Sequence, residues 1–240
     1  ELARLSEPEK RLEVQKEINE LSIKAAKYVI PNEFNKLISQ YGGTGLNAGT
    51  SWDYTMYFNT FTPQYMKQWC EINSERLINP VFRMFQSELE TVYEEKNMYA
   101  DMLGSQAAEK ILQEFFKPHP YQYPIIGSTD NLKNPRLSEM EAFFNTYYVA
   151  GNMGLVLSGS FDVEEVLPIL EDTFGKIKKG TVDKPVIEMP APIIGKVNLT
   201  AKIPIPFVRA NALLWRGVPS NHPDEIALNL AISFLSNENK

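Results

Sequence analysis

The chain has 240 residues, 43% of them hydrophobic and 22% charged, which is enough apolar material for one large domain or two smaller ones. Its formal net charge of −6 gives no electrostatic reason to expect a nucleic-acid partner. No stretch approaches the roughly 18 apolar residues of a membrane-spanning helix, and a single cysteine, Cys70, excludes an internal disulfide.

The first part of the chain predicts two helices separated by a proline. Residues 6–30 are charged with apolar residues at helical spacing, so they predict a helix that is capped by Ser6 and stopped by Pro31. A second, shorter helix is predicted to begin at an Asn32 cap and to end at Gly42 and Gly43, because glycine commonly ends a helix.

The glycine-rich stretch that follows raises the question of a phosphate-binding loop. Such a loop needs a strand, then glycines, then a helix whose N-terminus meets the phosphate. Here the order is helix, glycines, strand, and no lysine follows in the required position, so a phosphate site is disfavoured. Residues 52–61 alternate between two faces and predict a half-buried strand.

From Pro63 onward, helical patterns alternate with loops. Helices are predicted over 63–79, over 82–116 with a break near Gly104, over 138–151 from a Ser138 cap and over 162–175, with a short buried strand at 153–161 between the last two. Residues 180–195 are rich in proline and predict a linker, followed by strand candidates at 196–204 and 208–218 and by a helix from 222. Few strands among helices of uneven length predict an α+β fold.

Two residue types limit the chemistry. His119 and His222 are far apart in the chain and each precedes a proline, so they cannot form a pair on one helical turn. The helix around residue 90 is crowded with glutamates, and Glu88 and Glu95 lie seven residues apart, nearly two turns at about 3.6 residues per turn, so they share a face. The spacing by itself is compatible with a solvated acidic face and with a cation ligand.

Three stretches together resemble the insulinase/pitrilysin family of zinc metallopeptidases, which includes the mitochondrial processing peptidases. They are "YGGTGLNAGTSWDYTMYF", the helix containing "ELETVYEEKN", and "YYVAGNMGLVLSGSFD". The resemblance runs from about residue 32 to residue 177. It implies an α+β domain with an antiparallel sheet and helices packed on one face, repeated along the chain. The expected domains are an incomplete peptidase-type domain at 1–180 with a helical insertion at 6–30, a linker at 181–206 and the beginning of a second domain at 207–240.

The resemblance also implies a zinc site. In the family, Zn²⁺ is held by an inverted His-x-x-Glu-His motif and a distal glutamate, and zinc-activated water hydrolyses the peptide. Matched onto this chain, Glu95 would be the distal metal ligand and Glu88 would support the site from the second shell. The chain contains no His-x-x-Glu-His motif, so we expect a fragment of a zinc metalloendopeptidase, inactive by itself and with weak or absent zinc affinity.

By the same resemblance, the glycine-rich stretch belongs to the substrate cleft. Its backbone would pair with an extended peptide, which gives affinity with little sequence preference. Gly49 stands where the family often has a larger residue, commonly tyrosine. The expected substrate-binding residues are Leu46, Asn47, Ala48, Gly49 and Thr50.

Two other interpretations remain open. One is a non-catalytic partner or scaffold member of the same family, and the other is a module that binds extended peptides without cleaving them. The expected partners are a peptide substrate and a second homologous half or subunit that closes a chamber, with neither nucleic acid nor a membrane span. The presence of a His-x-x-Glu-His motif upstream in the full-length protein would separate the peptidase from the scaffold.

Overall fold

The computed structural model describes residues 8–82, 84–102, 104–133, 136–200 and 213–236. The described residues form nine α-helices and one two-stranded antiparallel sheet. They divide into two compact units, one from Glu1–Tyr99 with Pro124–Val186 and one from Ala100–Tyr123 with Ile187–Lys240.

The regular elements follow one another in chain order. They are α1 (Pro8–Ala26), α2 (Glu33–Gln40), β1 (Thr44–Thr50), β2 (Thr55–Thr60), α3 (Met66–Ile78), α4 (Phe85–Asp101), α5 (Ser105–Phe116), α6 (Thr129–Lys133), α7 (Leu137–Tyr147), α8 (Val163–Thr173) and α9 (Glu225–Leu235). The predicted break near Gly104 is confirmed, because α4 and α5 are separate helices on either side of it. None of the helices in the described ranges combines the length and the apolar character that a membrane crossing requires.

The helix stop at the glycine pair is confirmed. Gly42 adopts the left-handed conformation with φ of 74°. Its N–H donates to the Ser39 carbonyl at 3.0 Å, and the Gly43 N–H donates to the Ile38 carbonyl at 2.8 Å. These two bonds form a Schellman motif, which satisfies the last carbonyls of α2 and turns the chain into β1. The predicted cap at the other end of α2 is wrong, since Asn32 has a φ of 56° and its side chain caps no N–H.

The strand prediction for 52–61 is corrected to a hairpin. β2 begins only at Thr55, because residues 51–54 make the turn, closed by a 2.8 Å hydrogen bond from the Ser51 N–H to the Tyr54 carbonyl. β1 and β2 are antiparallel, and their register shifts between Thr44 and Asn47. Gly45 lies in that shift with φ of 63°, which fits a bulge that takes glycine in the left-handed region.

The core of the first unit lies between α3 and α8. Met66, Cys70 and Val166 are buried there, and Phe61, Trp69 and Phe174 pack around them. Trp69 stacks on Phe61 with the ring centroids 4.6 Å apart. Met66 and Cys70 therefore lie on the buried face of α3.

The strand predicted at 153–161 is wrong for the described structure, because these residues belong to no sheet. Leu155 is 45% exposed and Val156 86% exposed, so the segment is not buried either. An apolar run becomes a strand only when a neighbouring strand pairs with its backbone, and sequence periodicity does not supply that neighbour.

Two further local predictions need correction. α7 begins at Leu137 after Arg136, so Ser138 lies inside the helix and does not cap it. The strand candidates near the C-terminus are not strands at 196–200 and 213–218, and the rest of those candidates and Ser6 lie outside the described residues. The described ranges are thus mostly helical with a small antiparallel sheet, and the packing of helices on one face of a larger sheet stays a prediction.

Candidate functional site

The two glutamates singled out in the sequence both lie on α4. Glu88 stands in the first turn, where a carboxylate interacts favourably with the helix dipole. Glu95 lies seven residues further, about 10 Å along the axis at the rise of an α-helix. Both side chains are exposed. Exposure is expected for a metal ligand whose fellow ligands come from elsewhere and equally for a solvated acidic face, so it does not distinguish the two. Their assignment as ligand and supporting residue stays a prediction.

The residues present do not make a zinc site on their own. A protein zinc site uses three or four ligands drawn from cysteine, histidine, aspartate and glutamate. In the part of the chain that the structure describes, no group of three or more such residues is placed to hold a metal ion. One exposed carboxylate on α4 is too small a donor set for a zinc site, and the weak zinc affinity expected of this chain stays a prediction.

The predicted substrate stretch, Leu46 to Thr50, coincides with β1. In the two-stranded sheet β1 pairs with β2 on one side only, so within the described residues its other edge has no strand partner. Asn47, Ala48 and Thr50 are exposed and Leu46 and Gly49 are partly buried. An extended strand with a free edge has the geometry needed to bind another extended chain by backbone hydrogen bonds.

One backbone donor on this strand is already occupied. The Ala48 N–H donates to Oδ1 of the preceding Asn47 at 2.8 Å. A peptide that takes this N–H as a donor must first displace the Asn47 side chain. The Asn47 side chain therefore competes with any ligand for the Ala48 amide.

Gly49 stands in open space. A Cβ built at this position meets no heavy atom within 4 Å. Its φ lies outside the left-handed region, so a larger side chain is compatible with the backbone here. The absence of a side chain at Gly49 is therefore not imposed by packing among the described residues.

The hairpin is held against α3 by a partly buried polar contact. Trp69 donates its indole N–H to Oδ1 of Asn59 on β2 at 3.0 Å. Thr62, just after β2, donates its hydroxyl to the Tyr41 carbonyl at 3.3 Å. These contacts fix the open end of the hairpin, where β1 begins and β2 ends, to the flanking helices, so the position of β1 depends on α2 and α3.

The remaining candidates occupy structural positions. Cys70 is fully buried, and burial raises the pKa of its thiol from 9.0 to about 11, against a smaller lowering by a hydrogen bond with Thr173. His119 caps a short 3₁₀ turn, where its Nδ1 accepts from the Tyr121 N–H at 3.2 Å. Neither arrangement resembles a metal ligand or a nucleophile.

Sequence reasoning missed a cluster formed by Arg76, Tyr57 and Tyr148. The Arg76 guanidinium lies over the Tyr57 ring, 4.9 Å from its centroid. The hydroxyls of Tyr57 and Tyr148 are 2.7 Å apart, although the two residues are 91 positions apart in sequence. No local pattern brings together residues so distant in the chain, and Arg76 resembles an ordinary surface charge on α3 in the sequence.

Comparison with known families agrees with the resemblance of the three sequence stretches. Residues 18–129 match the model described as "Insulinase (Peptidase family M16)", and residues 136–240 match the model described as "Peptidase M16 inactive domain". The chain belongs to the M16 insulinase/pitrilysin family of peptidases.

The curated relatives include proteases from bacteria and mitochondria. The chain is 25% identical over 232 residues to "Zinc protease PqqE" of Helicobacter pylori, covering 93% of this chain and 51% of that protein. It is 24% identical over 194 residues to "Mitochondrial-processing peptidase subunit beta" of Caenorhabditis elegans, covering 79% of this chain and 41% of that one. The chain thus spans about half the length of the curated relatives it matches.

Solved structures show the same fold relationship. A protease from Helicobacter pylori superposes with a TM-score of 0.58 at 25% identity, over 66% of this chain and 40% of that one. Pitrilysin superposes with a TM-score of 0.56 at 22% identity, over 66% of this chain and 18% of that one.

Proposed function

We propose that this chain forms part of a zinc-dependent metalloendopeptidase. The observation that supports this most is the 25% identity to a protein named as a zinc protease across 93% of the chain, within a family of peptidases. The chain by itself is expected to be inactive, because it lacks a His-x-x-Glu-His motif and its described residues do not assemble a metal site.

In this proposal the chain contributes two parts of the active site. Glu95 is the distal metal ligand, and Glu88, on the same face of α4, supports it by orienting a neighbouring ligand. β1 binds the extended peptide substrate through its free edge, with Leu46 to Thr50 as the binding residues. A second homologous half or subunit closes the chamber around the substrate.

The test uses the full-length protein. Glu95→Gln keeps the size of the side chain but removes its charge, so zinc content and peptide hydrolysis should both be lost. Glu88→Gln should lower both less. Glu94→Gln is the matched control, because Glu94 is an exposed neighbour that points about 100° away from Glu95 on the helix.

Zinc content is measured by atomic absorption and hydrolysis with a quenched fluorogenic peptide. Full zinc content in the Glu95→Gln protein would show that the ligand assignment is wrong. Chelator-sensitive hydrolysis by the purified 240-residue chain would show that the chain is not an incomplete enzyme.

A second candidate, a non-catalytic scaffold or peptide-binding member of the family, also has support. The match of residues 136–240 to a model described as an inactive domain is compatible with the scaffold, and the free edge of β1 favours peptide binding. Both alternatives predict that the full-length protein does not cleave peptides, and the peptide-binding module predicts in addition that it binds extended peptides. They are supported over the peptidase if the full-length sequence has no His-x-x-Glu-His motif.

A further inference from the structure

The Arg76 cluster has the chemistry of an anion site. Arg76 on α3 places its guanidinium against two aromatic rings, 4.2 Å from the centroid of Phe34 on α2 and 4.9 Å from that of Tyr57 on β2. A ring face attracts the cation without being an oxygen acceptor, so these contacts leave the guanidinium N–H groups able to donate to the oxygens of an anion.

Two other arginines of the described residues donate to oxygen acceptors. Arg136 forms an ion pair with Glu139 at 2.7 Å, and Arg216 donates to the carbonyls of Ala191 and Phe115. Arg76 differs, because no carboxylate or carbonyl among the described residues accepts a hydrogen bond from it. Burial lowers the pKa of Arg76, which shows that the cation is partly withdrawn from water, yet it stays charged at neutral pH.

The two tyrosines add a further donor. Their hydroxyls are 2.7 Å apart, so one O–H donates to the other oxygen. The hydroxyl that accepts this bond keeps its own proton for another acceptor. Tyr148 is held in place by stacking on Phe144 with the ring centroids 4.3 Å apart, and burial raises the pKa of its hydroxyl, which therefore stays protonated at neutral pH. The cluster therefore presents N–H and O–H donors together.

The position of Tyr57 relates the cluster to the proposed peptide-binding edge. Tyr57 is directly opposite Ala48 in the sheet register, so the two side chains lie on the same face. A peptide added to the free edge of β1 would be two strand spacings from β2, roughly 10 Å. Of the paired residues on this face, Ala48 lies between the added peptide and Tyr57, and its side chain is only a methyl group. Tyr57 is 46% exposed. The side chain of a glutamate opposite Ala48 and the side chain of Tyr57 together span this distance.

We propose that Arg76, Tyr57 and Tyr148 bind the carboxylate of an acidic side chain, glutamate in preference to aspartate, in a peptide that lies along β1. This specificity site rests on the proposed function, because it assumes that β1 binds peptides. Glutamate is favoured because its additional methylene group extends the reach across Ala48. The guanidinium supplies charged hydrogen bonds to the carboxylate, which are stronger than neutral ones.

The test uses the complete 240-residue chain and two dye-labelled peptides that differ only in a central Glu or Gln. Both ends of each peptide are blocked, so the Glu side chain provides the only carboxylate. Binding is followed by fluorescence anisotropy. The Glu peptide should bind about tenfold more tightly than the Gln peptide, in line with a charge-assisted hydrogen bond, and added salt should reduce the difference.

Variants separate recognition from folding. Arg76→Gln should abolish the preference for Glu while leaving the affinity for the Gln peptide unchanged, and Tyr148→Phe should reduce the preference by several-fold. Arg136→Gln, which removes an exposed guanidinium from the same unit, is the matched control and should keep the preference. If Arg76→Gln does not fold by circular dichroism, Arg76→Lys takes its place, since it keeps the charge but loses the planar fork and should keep only part of the preference.

Equal affinity of the wild-type chain for the two peptides would refute the specificity site. An unchanged preference for Glu in Arg76→Gln would refute it too. If Arg76→Gln is unfolded, the same conclusion follows from an unchanged preference in Arg76→Lys. The proposed peptidase function is judged separately, by hydrolysis in the full-length protein. Hydrolysis without a preference for Glu would refute only the specificity site, and preference without hydrolysis would refute only the peptidase.

Discussion

The close contact at Gly43 allows a quantitative prediction about the helix stop that positions β1. A Cβ at Gly43 would lie 2.4 Å from Cγ2 of Ile38 and 2.7 Å from the Ile38 carbonyl oxygen. Ile38 is only 2% exposed, so its side chain has no free space to move into, and the carbonyl belongs to the last turn of α2. Gly43→Ala must therefore separate α2 from the start of β1.

The cost can be worked out from two contributions. Overpacking a buried contact costs about 1 to 3 kcal/mol, and the movement weakens the 2.8 Å hydrogen bond from the Gly43 N–H to Ile38, worth about 1 kcal/mol. We expect Gly43→Ala to lower the free energy of unfolding by about 2 to 4 kcal/mol, which is a fall in Tm of roughly 5 to 15 °C for a chain of this size.

The assay is urea unfolding followed by tryptophan fluorescence in a Trp215→Phe background. In that background Trp52 and Trp69 report on the first unit alone. Gly49→Ala is the matched control, because its Cβ meets nothing within 4 Å; it should be neutral or stabilising by up to about 1 kcal/mol. If Gly43→Ala unfolds at the same urea concentration as the control, the argument from the Ile38 contact is wrong.

Three further outcomes are expected. Asn47→Ala frees the Ala48 N–H, so the 240-residue chain should bind an extended peptide several-fold more tightly, as measured by fluorescence anisotropy. Weaker binding would contradict the proposal that the Asn47 side chain competes with the peptide for this N–H. Asp162→Ala removes the N-cap that accepts from the Glu164 N–H at 2.8 Å and should cost about 1 kcal/mol in urea unfolding, while Asp162→Asn should cost little. Burial of Cys70 raises its pKa from 9.0 to about 11, so the stability it contributes is complete below pH 9.0 and is lost as the pH rises toward 11. Cys70→Ala should make the free energy of unfolding less dependent on pH between 9.0 and 11. An equally steep loss of stability in the variant over this range would show that Cys70 is not its cause.

Helix ends were predictable from the sequence where a proline or glycine marks them. Proline and glycine mark helix ends through their own backbone preferences, so the end of α2 at Gly42 and the break at Gly104 followed from the sequence. Caps were less predictable. Asn32 and Ser138 were expected to cap helices and do not, whereas Asp162, for which no cap was predicted, caps α8. A cap also depends on the path by which the chain enters the helix.

Part of the candidate site was also predictable from the sequence. The glutamate spacing singled out Glu88 and Glu95, and the family resemblance singled out residues 46–50. Both glutamates are exposed on α4, and residues 46–50 lie on β1, whose outer edge has no strand partner among the described residues. Their functional roles come from the family resemblance, since exposure and spacing are the same for a ligand and for a solvated charge.

By itself, the amino-acid sequence determined the family, the succession of the longer helices and the absence of a His-x-x-Glu-His motif, because these depend on residues close together in the chain. It did not predict the short helix α6. The tertiary structure alone decided which apolar runs become strands. It paired β1 with β2, left 153–158 without a partner, and brought Arg76 onto the rings of Phe34 and Tyr57. Strand pairing and ring stacking are contacts between distant segments, so the free energy that stabilises them exists only once the chain has folded.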